Sequence, residues 1–166
     1  MDAGLEALKA NLESVVAGMS NEQLRQARPG KWCAAEVLEH LFLTYTGTIK
    51  GLEKAMAEGR PLATRASFKQ RLATFVVVRY GHMPTGRKTP SVARPRGMNE
   101  QEVRGQIGGT VEMMDAMLAK CEKRFGRRVK LLDHPILGPL SARQWRRFHC
   151  VHGRHHHKQL LTLLGR

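Results

Sequence analysis

The stretch Trp145-Arg146-Arg147-Phe148-His149-Cys150-Val151-His152-Gly153-Arg154-His155-His156-His157-Lys158-Gln159-Leu160 decides the fold. Wound as an α-helix at about 100° per residue, it sets Trp145, Phe148, His152, His155, His156, Gln159 and Leu163 on one face. Arg143, Arg147, Arg154, His157 and Lys158 fall on the other. The histidines therefore share the apolar side of a helix. Imidazoles buried there need partners supplied by neighbouring elements, so the pattern predicts a helix packed inside an all-helical assembly.

Three further long helical patterns lie upstream. Leu5, Leu8, Leu12, Val15, Val16 and Met19 recur at three- and four-residue spacing and predict a first helix over about residues 3–19. Ser20 and Gln23 then form a capping box for a short turn of helix that Pro29-Gly30 closes. Leu38, Leu41, Phe42, Tyr45, Ile49, Leu52 and Met56 make the stripe of a second long helix, from near Trp32 to about Glu58. Asn99 and Glu102 signal the start of a third, running to about Phe125 with Val103, Ile107, Val111, Met114, Met117 and Leu118 inside. Gly105, Gly108 and Gly109 weaken its beginning and permit close helix contact. Ser141 and Gln144 cap the last helix, which continues to about Leu164.

Between the second and third helices the pattern is irregular. Phe68 to Tyr80 reads as a helical piece, although Val76-Val77-Val78 invites a strand, and prolines at 84, 90 and 95 predict an exposed basic loop beyond it. Residues 133–140 read as a structured turn. The expected fold class is all-α, a single domain over residues 1–166: a four-helix bundle with a long crossover between helices 2 and 3, in which facing side chains can build a metal site.

Bulk properties exclude several classes. At 166 residues, with 42% apolar and 25% charged residues, the chain can bury a core without staples and is not composed like a disordered protein. No run approaches the roughly 18 apolar residues of a membrane span. Acids at Asp2 and Glu6 stand where a signal peptide carries positive charge, so a cytoplasmic location is expected. Cys33, Cys121 and Cys150 are an odd count without a C-x-x-C pair, which reads as reduced thiols rather than disulfides or a cysteine-rich zinc site. The net charge of +14 is uneven: +3 over residues 1–83 and +11 over residues 84–166.

His152 and His156 stand four apart on one face, a spacing that lets two imidazoles converge on one cation. A site needs at least a third ligand from elsewhere. His40 is the best candidate because it lies within the second helix, beside Val37 and Thr44 on the flank of the stripe, which places the metal near a cleft at the side or end of the bundle. His149 and His155 are rival ligands by geometry. His134 reads as a turn stabiliser before Pro135, and His157 and His82 as solvated. Glu36 and Glu39 flank His40 but project from other faces, so neither is named as a general base and no catalytic residue is assigned. Histidine nitrogen suits zinc, nickel, iron and copper alike.

Two segments resemble the DinB-like, or YfiT-like, superfamily of bacterial metal-dependent four-helix bundles. Lys31-Trp32-Cys33-Ala34-Ala35-Glu36-Val37-Leu38-Glu39-His40-Leu41 is similar to its tryptophan-led second helix, which ends in a ligand histidine. His152-x-x-His155-His156-x-x-Gln159 is similar to its last-helix signature, and His134-Pro135 through Gly138 followed by Trp145 to one branch of it. The resemblance implies that His40, His152 and His156 bind the metal, with His155 and Gln159 in support. It further implies up-down-down-up topology, a homodimer, zinc or nickel as the cofactor, and thiol-dependent S-transferase or isomerase activity with a low-molecular-weight thiol.

The function expected is therefore a divalent-metal-dependent enzyme, a thiol S-transferase or a hydrolase, acting on a small-molecule substrate. Two alternatives stand beside it. The basic half could bind nucleic acid through Arg87, Lys88, Arg94, Arg96, Arg124, Arg127, Arg128 and Lys130. The metal could instead be structural, in a non-catalytic assembly module.

Overall fold

A computed structural model describes residues 1–84 and 88–165. Four long helices dominate it: α1 (Ala3–Ala17), α3 (Ala34–Ala57), α5 (Glu100–Phe125) and α6 (Ala142–Leu163). Two short ones, α2 (Asn21–Arg25) and α4 (Phe68–Thr74), fill the connections. The expected boundaries hold to within about two residues because local chemistry fixes them. Capping boxes start α2 at Ser20 and α6 at Ser141, and the Asn99 side chain accepts the amides of Gln101 and Glu102 to start α5. At the head of α3 the Glu36 carboxylate accepts the backbone N–H of Cys33 at 2.8 Å, so the helix begins two residues after Trp32.

The predicted stripes are the core. Leu5, Leu8 and Leu12 from α1, Leu38, Leu41, Tyr45 and Leu52 from α3, Ile107, Val111, Met114 and Leu118 from α5 and Leu160 from α6 are all fully buried in one cluster. α3 packs on α5 and α6, and α1 packs on the same two helices. Gly153 marks the tightest approach of α1 to α6, where a Cβ would lie 2.4 Å from a methyl of Leu8. Of the three glycines early in α5, only Gly108 serves close contact, against Glu13 of α1; Gly105 and Gly109 face open space.

The crossover contains α4 and, continuous with it, a π-helical turn over Phe75–Arg79, so the valine run is helical and not a strand. A short 3-10 turn, Ser91–Ala93, follows. Arg94 and Arg96 are exposed, as the basic-loop expectation had it, whereas Arg87 lies outside the described residues.

Residues 133–140 are more than a turn. β1 (Lys130–His134) and β2 (Gly138–Ser141) form an antiparallel hairpin, with Leu132 opposite Leu140 and His134 opposite Gly138. Pro139 lacks a ladder donor, which is tolerated because a two-stranded sheet leaves every strand an edge. His134 Nδ1 accepts the N–H groups of both Ile136 and Leu137 at 3.1 Å and thereby closes the hairpin turn. Among the described residues no helix is long and apolar enough to cross a membrane, and all three cysteines are buried and free.

Candidate metal centre

α6 exposes one edge of its apolar face to a cleft, and α3 lies across from it. Together they bring His40, His152 and His156 into one group, each ring contributing a nitrogen within 4.8 Å of the other two. His152 Nε2 stands 3.0 Å from His40 Nε2 and 3.1 Å from His156 Nε2. All three side chains are buried, at 5%, 8% and 8% exposure, yet all three line the cleft.

The far sides of two of the rings fix their tautomers, whereas His152 Nδ1 has no partner among the described residues. His40 Nδ1 is 2.7 Å from the carbonyl oxygen of Ala93, which can only accept, so Nδ1 carries the proton and Nε2 presents a bare lone pair. His156 Nδ1 faces Gln159 Oε1 at 3.0 Å with the same consequence. His152 Nε2 thus sits between two acceptors, and a single proton on it can satisfy only one of them.

Protonating the rings is no remedy. Burial pushes His156 down to about 3, with His40 beside it adding to the shift. Burial holds His152 well below the ordinary histidine range, with His156 and His40 adding to it. His40 is lowered by burial too, although the Ala93 carbonyl opposes this. A cation at the point where the three Nε2 atoms converge would satisfy all of them, with the proton of His152 on Nδ1. Nitrogens about 2.1 Å from a shared ion and at right angles or wider about it stand about 3 Å or more apart, the scale of both Nε2 contacts of His152. On these grounds the residues fit a divalent metal.

The triad is held from behind by a residue that the sequence reading set aside. Glu39 is buried, at 4% exposure, and its carboxylate accepts the backbone N–H groups of Arg96 at 2.6 Å, Gly97 at 3.1 Å and Met98 at 3.2 Å. That clamp pins the segment that carries the Ala93 carbonyl against His40. Glu36 caps α3 instead, so neither acid reaches the cleft as a base. Trp32 packs on the His40 ring at 5.3 Å and Phe148 stacks on His152 at 5.3 Å, fixing both imidazoles on their apolar sides.

The other histidines separate cleanly. His149 is fully buried and turns to Thr48, 3.2 Å away, and to the ring of Tyr45. His155 is half-buried, lines the cleft and packs edge-on to His156, outside the triad. His134 closes the hairpin turn, His82 is exposed and His157 is half-buried. Ala93 carries no signal in its side chain, since only its backbone acts. Glu39 was visible as the acid preceding His40, but its distant partners were not.

The cleft, of about 1500 Å³, is walled by α3, α4, the π-turn, the hairpin and α6. The basic residues weighed for nucleic acid do not gather in one place. Lys88 lines this cleft, whereas Arg127 lines a second depression of about 700 Å³ with Arg143, Arg146, Arg147 and Arg154.

The family described as "Protein of unknown function (DUF1569)" matches the chain over residues 1–162. No curated protein and no solved structure matches it.

Proposed function

The chain belongs to the DUF1569 family, and we propose that it is a divalent-metal-dependent enzyme of DinB-like type, with His40, His152 and His156 as ligands and zinc or nickel as the ion. The single observation that carries this reading is the convergence of three Nε2 atoms while the outer nitrogens of His40 and His156 are committed elsewhere. The order and packing of the four long helices support a four-helix bundle of up-down-down-up topology. A cytoplasmic homodimer completes the reading.

A bound ion would supply Lewis acidity, which turns a weakly acidic thiol or water into a nucleophile near neutral pH. The chain's own residues would do the rest. His40 and His156 keep their lone pairs directed inward through Ala93 and Gln159, and Trp32 and Phe148 keep the His40 and His152 rings from turning. Asp133 is the lone carboxylate among the described residues lining the cleft, and both its oxygens are engaged by Thr64. A hydrolase needs a base for the proton of water; a thiol, with an ordinary pKa of about 8.5, needs much less help. Thiol S-transfer with a low-molecular-weight thiol is therefore the favoured reaction, and hydrolysis comes second.

Elemental analysis of protein purified without a metal-affinity column tests the reading. We expect about one zinc or nickel per chain, and a loss of most of it in His152→Ala with the helical circular dichroism retained. Equal metal content in the variant and the parent would sink the site. The nucleic-acid alternative predicts binding to single or double strands that weakens steeply with salt, and no retention on either at low salt would dispose of it.

A further inference from the structure

We propose that the cleft above the three histidines takes an amphiphilic anion, a small molecule with one carboxylate, sulfonate or phosphate on an apolar body. The proposal rests on the metal-enzyme reading in that it names that enzyme's substrate class.

The rim carries five positive charges against one negative. Lys31, Lys50, Lys69, Lys88 and Lys158 all line the cleft and are all exposed, and none has a carboxylate within ion-pair distance among the described residues. They are half of the chain's ten lysines. Of its 18 arginines, none among the described residues lines this cleft. The single acid there, Asp133, is held by Thr64 and faces the crossover strand of chain at residue 64. Five ammonium groups around one concavity repel each other, and low-dielectric walls focus their field into it. An anion relieves that repulsion.

The walls below the rim are apolar. Leu72 and Val92 line the cleft and yet are 56% and 65% exposed, large side chains held in water at the mouth of a hollow. Leu43, Val76, Ile136 and Leu137 continue the same surface inward toward Phe148 and the histidines. A concave apolar wall with a charged rim binds a ligand of matching design, with the body against the wall and the charge at the rim. A single-stranded polynucleotide fits poorly. It needs a track of cations with exposed aromatic platforms for its bases, and the aromatic residues of this cleft, Trp145 and Phe148, are each only 4% exposed.

Octanoate and its neutral isostere octanamide, titrated calorimetrically into the zinc-loaded full chain, read the charge preference. We expect octanoate to bind about tenfold more tightly at low salt, and most of that preference to disappear at high salt. It should likewise disappear when Lys50, Lys69 and Lys158, from α3, α4 and α6, are changed together to glutamine. Equal binding of the two probes, or a preference that the triple substitution leaves untouched, overturns the proposal. The same titrations in zinc-free His152→Ala separate this inference from the metal reading. A preference for octanoate that survives there supports the cleft whatever becomes of the ion. A preference present only with zinc means that the carboxylate was held by the metal, and overturns the proposal. Failure of the parent chain to bind zinc, with the lysine-dependent preference intact, would remove the metal reading alone.

Discussion

His149 shows how a histidine on the same helix as His152 and His156 becomes part of the core. Its Nε2 lies 3.2 Å from Thr48 Oγ1, and that hydroxyl already donates to the Thr44 carbonyl, so Nε2–H donates and Nδ1 is left without a partner. Complete burial pushes His149 down to about 3, and burial pushes His134 down to about 4. Both lie below the ordinary value of about 6.5, so the unfolded chain takes up protons first as the pH falls. Their stabilising effect is fully present above about pH 6.5. It then declines by up to about 1.4 kcal/mol per pH unit for each histidine until the folded-state values near 3 and 4 are passed. Urea denaturation of metal-free protein should accordingly show a midpoint that falls between pH 6.5 and 4, and His149→Leu should make that fall less steep. An unchanged slope in the variant would mean that His149 is not the neutral core residue described. Spacing alone left His149 and His155 as rivals to the ligands, because residues three and four apart on a helix share a face. For His149 the choice was made by Thr48, which is far away in sequence and could not be read from it.

At the scale of elements, the long helices were legible because each buries a stripe with a 3.6-residue period, and Asn99 and Ser141 mark the starts of α5 and α6. The hairpin was not legible. Its strands are five and four residues long, and Pro135, Gly138 and Pro139 look like turn residues until the edge position of each strand is known. The segment after the 3-10 turn was read as an exposed basic loop, which describes Arg94 and Arg96 but misses the backbone beneath them. Glu39 gathers three successive N–H groups of that segment, while Ala93, just upstream, accepts from His40. Helix α3 therefore supplies both the candidate ligand His40 and, one residue earlier, the anchor for the carbonyl that orients it. Glu39→Gln keeps the size of the side chain but turns an N–H₂ toward backbone donors. The expected result is zinc affinity lowered by about 10- to 100-fold, the range typical when support behind a ligand is lost, with helical content unchanged. Competition with a chromophoric chelator measures it. Affinity equal to that of the parent would mean that the Ala93 carbonyl keeps its place without the clamp.

Over the whole molecule, core and site are separable. The buried cluster draws on every long helix and includes the hairpin leucines Leu131, Leu132 and Leu140, whereas the triad stands at the margin of the cleft. This arrangement agrees with the flank position of His40 in its helix, which had placed the site toward the side of the assembly. It also bears on which of two roles an ion would have. A structural metal makes up for a missing core, as in small zinc domains that are unfolded without it. Here the fully buried residues from Leu5 to Leu160 already supply a core, which favours the catalytic role. Removing the ion with a chelator should then leave the far-UV helical signal intact at room temperature. Returning zinc at about a hundred times its dissociation constant should raise stability by about 2.7 kcal/mol. That gain should vanish in His152→Ala, where the unfolding midpoint no longer responds to zinc. Collapse of the helical signal on chelation would reverse the assignment, because it would make the ion a part of the fold and take away the main support for catalysis.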